Sequence, residues 1–172
     1  MSPTADAAHE IVDLVDADDR VIGTVAKVET DSDPRLIHRE IAVLVHRDGE
    51  LLWQLRSARK TVMALTWDIA CAGHVAAGEE PLAAAHRELR EELGFDLELA
   101  VLERRLVRAP NETYFAHVFT GGAPAGLEPV LDADEVEAIE WCDAQAYRRW
   151  VAEGRLLSPV GQALAEAFWE LG

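Results

Sequence analysis

Apolar residues recur along the chain in short blocks separated by turn-forming clusters, and the spacing inside each block predicts its element. Ile11, Val12, Leu14 and Val15 run into Asp16-Ala17-Asp18-Asp19, a strand entering a turn, and Val21 to Val28 returns as its partner. Thr30-Asp31-Ser32-Asp33-Pro34 punctuates the chain as a loop. The run Ile41 to Val45 is continuous enough for a buried strand; it ends at the turn His46-Arg47-Asp48-Gly49, and Leu51 to Arg56 completes a hairpin. Pro81, preceded by two acids, opens a helix that Gly94 closes, with Leu82, Ala85, Leu89 and Leu93 as its apolar stripe. Leu97 to Val107, Tyr114 to Phe119 and Val136 to Trp141 read as strands, with a flexible loop from Gly121 to Gly126. Two helices finish the chain, the first capped by Asp143 and the second started by Ser158-Pro159. The mixed order predicts an α+β or layered α/β/α domain. Residues 1 to 9 are small and polar and are expected to fray, which leaves residues 10 to 172 as a single domain.

Composition adds two constraints. Apolar residues make up 49% and charged residues 28%, the balance of an ordinary globular core. Sixteen basic against thirty-two acidic residues give a formal charge of −16, which repels nucleic acid unless cations are sharply clustered. No nucleic-acid partner is expected, and a small polyanionic substrate needs a metal ion or a few placed cations to enter. Cys71 and Cys142 are too few for a disulfide framework and are expected to be reduced. With neither a leader-like apolar stretch near Met1 nor 18 apolar residues together, the expectation is a soluble cytoplasmic protein with no membrane partner, a monomer or homodimer.

The chemistry concentrates after Gly73, where the chain reads Gly73-x5-Glu79-x7-Arg87-Glu88-Leu89-x-Glu91-Glu92-x-Gly94-Phe95. Seven fixed residue types at set spacing arise by chance at only about 10⁻⁸ per starting position. Glu88, Glu91 and Glu92 lie three and four residues apart, so a helix puts all three carboxylates on one surface adjoining the apolar stripe. They repel one another unless a cation neutralises them, and oxygen-only ligands suit a hard cation such as Mg²⁺, with Mn²⁺ as a substitute. A solvated charged helix face is the ordinary meaning of such a run, but not with Gly73, Glu79, Arg87 and Gly94 in register beside it.

This segment resembles the Nudix box at every specified position. The resemblance implies a Nudix-type α/β/α sandwich with a mixed sheet and a catalytic helix after the glycine loop. It implies Mg²⁺-dependent cleavage of a phosphoanhydride in a nucleoside di- or triphosphate or a nucleoside diphosphate derivative. It further implies Glu88 and Glu92 as direct metal ligands, Glu91 as ligand or general base, and the Gly73 carbonyl facing the metal. Arg87 and Glu79 complete the catalytic set through an ion pair that fixes the loop before the helix.

Outside the box, Val15-Asp-x-x-Asp-Arg-Val-Ile-Gly23, Leu36-Ile-His38-Arg39, Gln54-x-Arg56-Ser-x-x-Lys60, Trp67, Gly73-His74 and Trp141-Cys-Asp143 resemble the subgroup of type I isopentenyl-diphosphate isomerases. Isomerisation is therefore the principal alternative, and a non-catalytic nucleotide sensor a second. Three departures favour hydrolysis: the isomerase's catalytic cysteine falls on Ala72, its metal histidine seven residues before His38 falls on Asp31, and the hydrolytic box is complete. Cys71, one residue early, is expected to face the other side of its strand as a small buried residue. His38 and His74 match metal-site histidines of the isomerase, and Glu112 lies where that subgroup supplies further carboxylates. Arg56 and Lys60, from the only dense basic cluster before the box, are assigned to substrate phosphates, with His38 and Glu112 on the substrate side. The five tryptophans are core candidates first.

Overall fold

The hairpin expected around Asp48-Gly49 forms the spine of the fold. In a computed structural model describing residues 10–171, β3 (Ile37–Arg47) and β4 (Glu50–Arg56) pair antiparallel across a two-residue turn, and both turn residues have positive φ. The segment expected to fray, residues 1 to 9, lies outside the described residues. Along β3, Ile41, Val43 and Val45 face one core while Ala42 and Leu44 face another, the alternation of a strand buried on both faces. Both edges of β3 are used: β6 (Cys71–His74) pairs antiparallel and β8 (Thr113–Gly122) pairs parallel over ten residues.

Around this spine lie β1 (Ile11–Val15) with β2 (Val21–Ala26), β5 (Trp67–Ile69) and β9 (Val136–Cys142) on β4, and β7 (Ala100–Arg108) on β8. One face is covered by α2 (Pro81–Leu93), whose Ala84, Ala85, Leu89 and Leu93 join Ile41, Val43, Val45, Leu52 and Cys71 in the first core. The other is covered by α3 (Ala144–Glu153) and α4 (Pro159–Leu171), packed on Leu44, Leu51, Trp53 and Ile69. The result is the expected α/β/α layering about a mixed sheet.

Several expectations need correction. Val21 to Val28 does not stay extended, because Lys27–Thr30 winds into a short helix, α1, that buries Lys27. That helix includes Thr30, so the loop begins at Asp31. The strand expected from Leu97 starts at Ala100, and Gly121-Gly122 end β8 rather than opening a loop. Leu82 is 42% exposed, since core cover of α2 begins only at Ala84 and Ala85. The caps behave as expected: Gly94 ends α2 at φ 70°, Asp143 Oδ1 accepts from Ala146 N at 2.7 Å, and Ser158 Oγ accepts from Gly161 N at 2.8 Å. Trp53 and Trp150 are buried and meet edge to face at 5.8 Å between ring centres.

Candidate active site

The site arises where β6 leaves the sheet and turns into α2. Gly73 pairs with Ile41 on β3, and the chain that follows is sewn to β1 and β3 by Val75 N to Arg39 O at 3.2 Å and Ala77 N to Ile11 O at 2.9 Å. Side chains alternate along β6, so Cys71 and Gly73 face α2 while Ala72 and His74 face the opposite layer. A Cβ on Gly73 would stand 2.5 Å from the Glu88 carboxyl carbon. Only glycine lets the strand backbone come this close to that carboxylate.

Arg87 organises the carboxylates. Its Nε and Nη2 donate to the two oxygens of Glu79, both at 3.0 Å, a bidentate pair, while Glu79 also accepts from Ala76 N at 3.1 Å. Nη2 reaches the His74 carbonyl at 3.1 Å, and Nη1 donates to Glu88 at 2.6 Å and Glu91 at 3.1 Å. The expected pair thus ties the loop to the helix. Glu92 is buried, and its Oε2 accepts from Gln54 Nε2 at 3.0 Å. Glu88 and Glu92 point inward, whereas the Glu91 side chain is 58% exposed, so the three carboxylates share the region but not one environment.

Burial pushes the Glu92 carboxyl up to about 8, reinforced by Glu88, and burial likewise raises Glu88. Glu79 goes the other way, held below the ordinary range by its hydrogen bonds from Arg87. Two acids are therefore kept together with too little positive charge to ionise both comfortably, and every atom they offer is a hard oxygen. That donor set fits Mg²⁺ or Mn²⁺, with Glu88 and Glu92 as the inward-facing ligands and Glu91 at the rim.

Of the remaining expected residues, Arg56 lies near enough to Glu92 for its charge to counter the rise of that carboxyl. His38 is fully buried on the opposite face of β3, with Nε2 3.1 Å from Glu40 Oε1. Ligand atoms of His38, Glu40 and Glu112 lie within 4.8 Å of one another, and His74 Nε2 is 3.6 Å from Glu40. Lys27 stands 3.8 Å from Glu112 and pairs with Asp31. This is a second polar cluster, and its His74 stands near enough to Glu88 for the two charges to act on one another. Arg56 Nη2 touches the Val62 carbonyl at 3.4 Å, and Lys60 is paired with Glu135. Sequence reading missed Glu40 and Gln54. The signal for Glu40 was its i+2 spacing from His38 on a strand; Gln54 opens the stretch Gln54-x-Arg56 but stands 38 residues from its partner.

Residues 36–159 match the family model of the NUDIX domain. The chain belongs to that family. Among its relatives are isopentenyl-diphosphate Delta-isomerase 2 of Photorhabdus laumondii, 38% identical over 138 residues (77% of this chain, 76% of that protein), and isopentenyl-diphosphate Delta-isomerase of Serratia proteamaculans, 35% identical over 145 residues (79% and 78%). Among solved structures, DR0079 of Deinococcus radiodurans superimposes with a TM-score of 0.77 at 22% identity, covering 92% of this chain and 98% of that one. A MutT NUDIX hydrolase of Burkholderia pseudomallei gives 0.60 at 26%, covering 76% and 96%. The Nudix fold and the likeness to the isomerase subgroup expected from the sequence are thus both found. Cys71 is buried in the α2-side core, where burial and the charges of Glu92 and Glu88 hold its thiol protonated. No described helix is long and apolar enough to cross a membrane.

Proposed function

We propose that this Nudix enzyme acts, with a divalent metal, on the diphosphate of a small substrate, and that the reaction is hydrolysis of a phosphoanhydride. The observation that carries this reading is the intact pair of inward-facing carboxylates, Glu88 and the buried Glu92, set against Gly73 and organised by Arg87 and Glu79. A bound Mg²⁺ supplies Lewis acidity at a phosphoryl oxygen and lowers the pKa of water. The chain's own work is positional. Glu88 and Glu92 offer the inward charge, Gln54 fixes which Glu92 oxygen is free, and Arg87 locks Glu88 against the loop. Glu91, exposed at the rim, is the group best placed to accept a proton from water. Arg56 and Lys60 orient the phosphates, Lys60 exchanging Glu135 for substrate.

A second reading is isomerisation of isopentenyl diphosphate. The relatives carry that name and favour it over general pyrophosphohydrolysis. The cluster His38, Glu40, Glu112 and His74 supports it as well. Against it stands Ala72, the residue where the resemblance calls for a catalytic cysteine.

The deciding experiment incubates the protein with Mg²⁺ and a panel of nucleotides, dinucleotides, nucleotide sugars and prenyl diphosphates, reading released phosphate or mononucleotide beside isomer composition. Anhydride cleavage that Glu92→Gln abolishes supports hydrolysis. Turnover confined to allylic rearrangement would establish the second reading, and tight nucleotide binding without turnover would establish a sensor.

A further inference from the structure

Asp19, in the stretch Val15-Asp-x-x-Asp-Arg, and Arg39, which follows His38, have side chains outside the box. The fold joins them. Arg39 Nε donates to Asp19 Oδ1 at 2.6 Å and Nη2 donates to the Asp19 carbonyl at 2.6 Å, with the Asp19 side chain 3% exposed. Asp19 sits in the β1–β2 turn at φ 67°, a left-handed conformation that a non-glycine residue holds only when its surroundings fix it. Arg104 Nη1 at 3.3 Å and His117 Nε2 at 3.1 Å close round its other oxygen.

From Arg39 the contacts continue inward. Its Nη1 lies 3.8 Å from Asp13 Oδ2, and both Asp13 oxygens accept from Gly78 N at 3.2 Å. Gly78 precedes Glu79, which grips Arg87, which grips Glu88. The Arg39 carbonyl also accepts Val75 N. A line of charge-assisted contacts, joined by the Gly78–Glu79 peptide link, therefore runs from the β1–β2 turn to an inward-facing carboxylate of the box.

Stability alone is a poor account of this line. A buried ion pair recovers little more than the desolvation it costs, whereas its geometry fixes the position of what it touches. We propose that Asp19 and Arg39 are positioning residues that set the Gly73–Glu79 loop, and through Arg87 the Glu88 carboxylate, for metal binding. The inference rests on the box carboxylates binding a divalent ion, as proposed above.

The test measures Mn²⁺ affinity of the full chain by titration calorimetry, alongside thermal unfolding of the metal-free protein. Removing an outer partner of a metal ligand costs about 10–100-fold in affinity, and these residues lie further out, so Arg39→Met and Asp19→Asn are each expected to weaken Mn²⁺ binding about 3–10-fold. Because they act as one unit, the double variant is expected to lose no more than the worse single one. Ser158→Ala, on the other face of the sheet, serves as the stability control: it lowers the melting temperature and leaves Mn²⁺ affinity unchanged. Asp19→Asn keeps size and shape and carries the test if Arg39→Met does not fold. Wild-type Mn²⁺ affinity in Asp19→Asn, or the same loss in Ser158→Ala at equal destabilisation, would overturn the proposal. Wild-type protein binding no more Mn²⁺ than Glu92→Gln would instead overturn the metal reading beneath it.

Discussion

Glu92 is the side chain in which burial and charge collide most directly. It is buried, faces Glu88, and has Gln54 as its hydrogen-bond partner, an arrangement that favours a cation over a proton only when the cation is divalent and close. Glu92→Gln keeps the shape and removes the anion, so it is expected to abolish saturable Mn²⁺ binding and most turnover while the circular dichroism spectrum stays native. Retention of near-normal turnover at saturating Mg²⁺ would show that the carboxylate is not a ligand. Gly73→Ala acts from the other side of the same contact. Its methyl group must displace Glu88 or the strand, and such overpacking typically costs about 1–3 kcal/mol, which urea denaturation would read out. Box residues such as these were legible because chemistry dictates their types at fixed local spacing. The pairing of Asp19 with Arg39 was not legible, since the two stand 20 positions apart across β2, α1 and a loop, and no local rule brings them together.

At the scale of elements, legibility followed the strength of the local end signals. α2 was foreseen from Pro81 to Gly94 because proline fixes the first turn and glycine accepts the left-handed end. β5 and β6, three and four residues long, offer too few positions for a period to show, and only their pairing with β4 and β3 defines them. α1 replaces the end of an expected strand because Lys27 finds Asp31 and Glu112, a tertiary reason absent from local pattern. Two predictions belong here. Asp143→Ala removes the α3 cap and is expected to cost about 1 kcal/mol in chemical denaturation without altering Mn²⁺ affinity. The joint between β5 and α4 is held by Asp68, whose Oδ1 accepts from Ser158 Oγ at 2.5 Å and Ile69 N at 2.8 Å. Burial raises the Asp68 carboxyl above its ordinary 3.8. A raised folded-state pKa means that its stabilising effect is complete below pH 3.8 and is lost as pH rises through the folded value. Wild-type protein should therefore lose stability relative to Asp68→Asn over that upward interval; a gap between the two that does not change with pH would refute it.

The whole molecule presents two chemically different faces on one sheet, and the choice between reactions depends on which face does the work. On the α2 face the carboxylates of Glu88 and Glu92 meet the Gly73 backbone, with the Cys71 thiol beside Glu92. On the other, imidazole joins carboxylate in His38, His74, Glu40 and Glu112. Allylic isomerisation needs a proton donor and an acceptor on opposite sides of a five-carbon chain, whereas anhydride hydrolysis needs a metal-held phosphate and water. The register of β6 decides where a thiol could serve. Cys71, opposite Val43, turns its sulfur into the α2-side core, and Ala72, opposite Ala42, gives the histidine face only a methyl group. The thiol is fully buried, and burial with the neighbouring charges of Glu92 and Glu88 holds it protonated. Wild-type protein given isopentenyl diphosphate and Mg²⁺ is therefore expected to form no dimethylallyl diphosphate, and Cys71→Ala to cleave anhydrides within about twofold of wild type, a change worth roughly 0.4 kcal/mol in the barrier. Dimethylallyl diphosphate formed by the wild type and lost in Cys71→Ala would mean that the sulfur reaches substrate from the α2 side, and hydrolysis would yield to isomerisation as the reaction of this site.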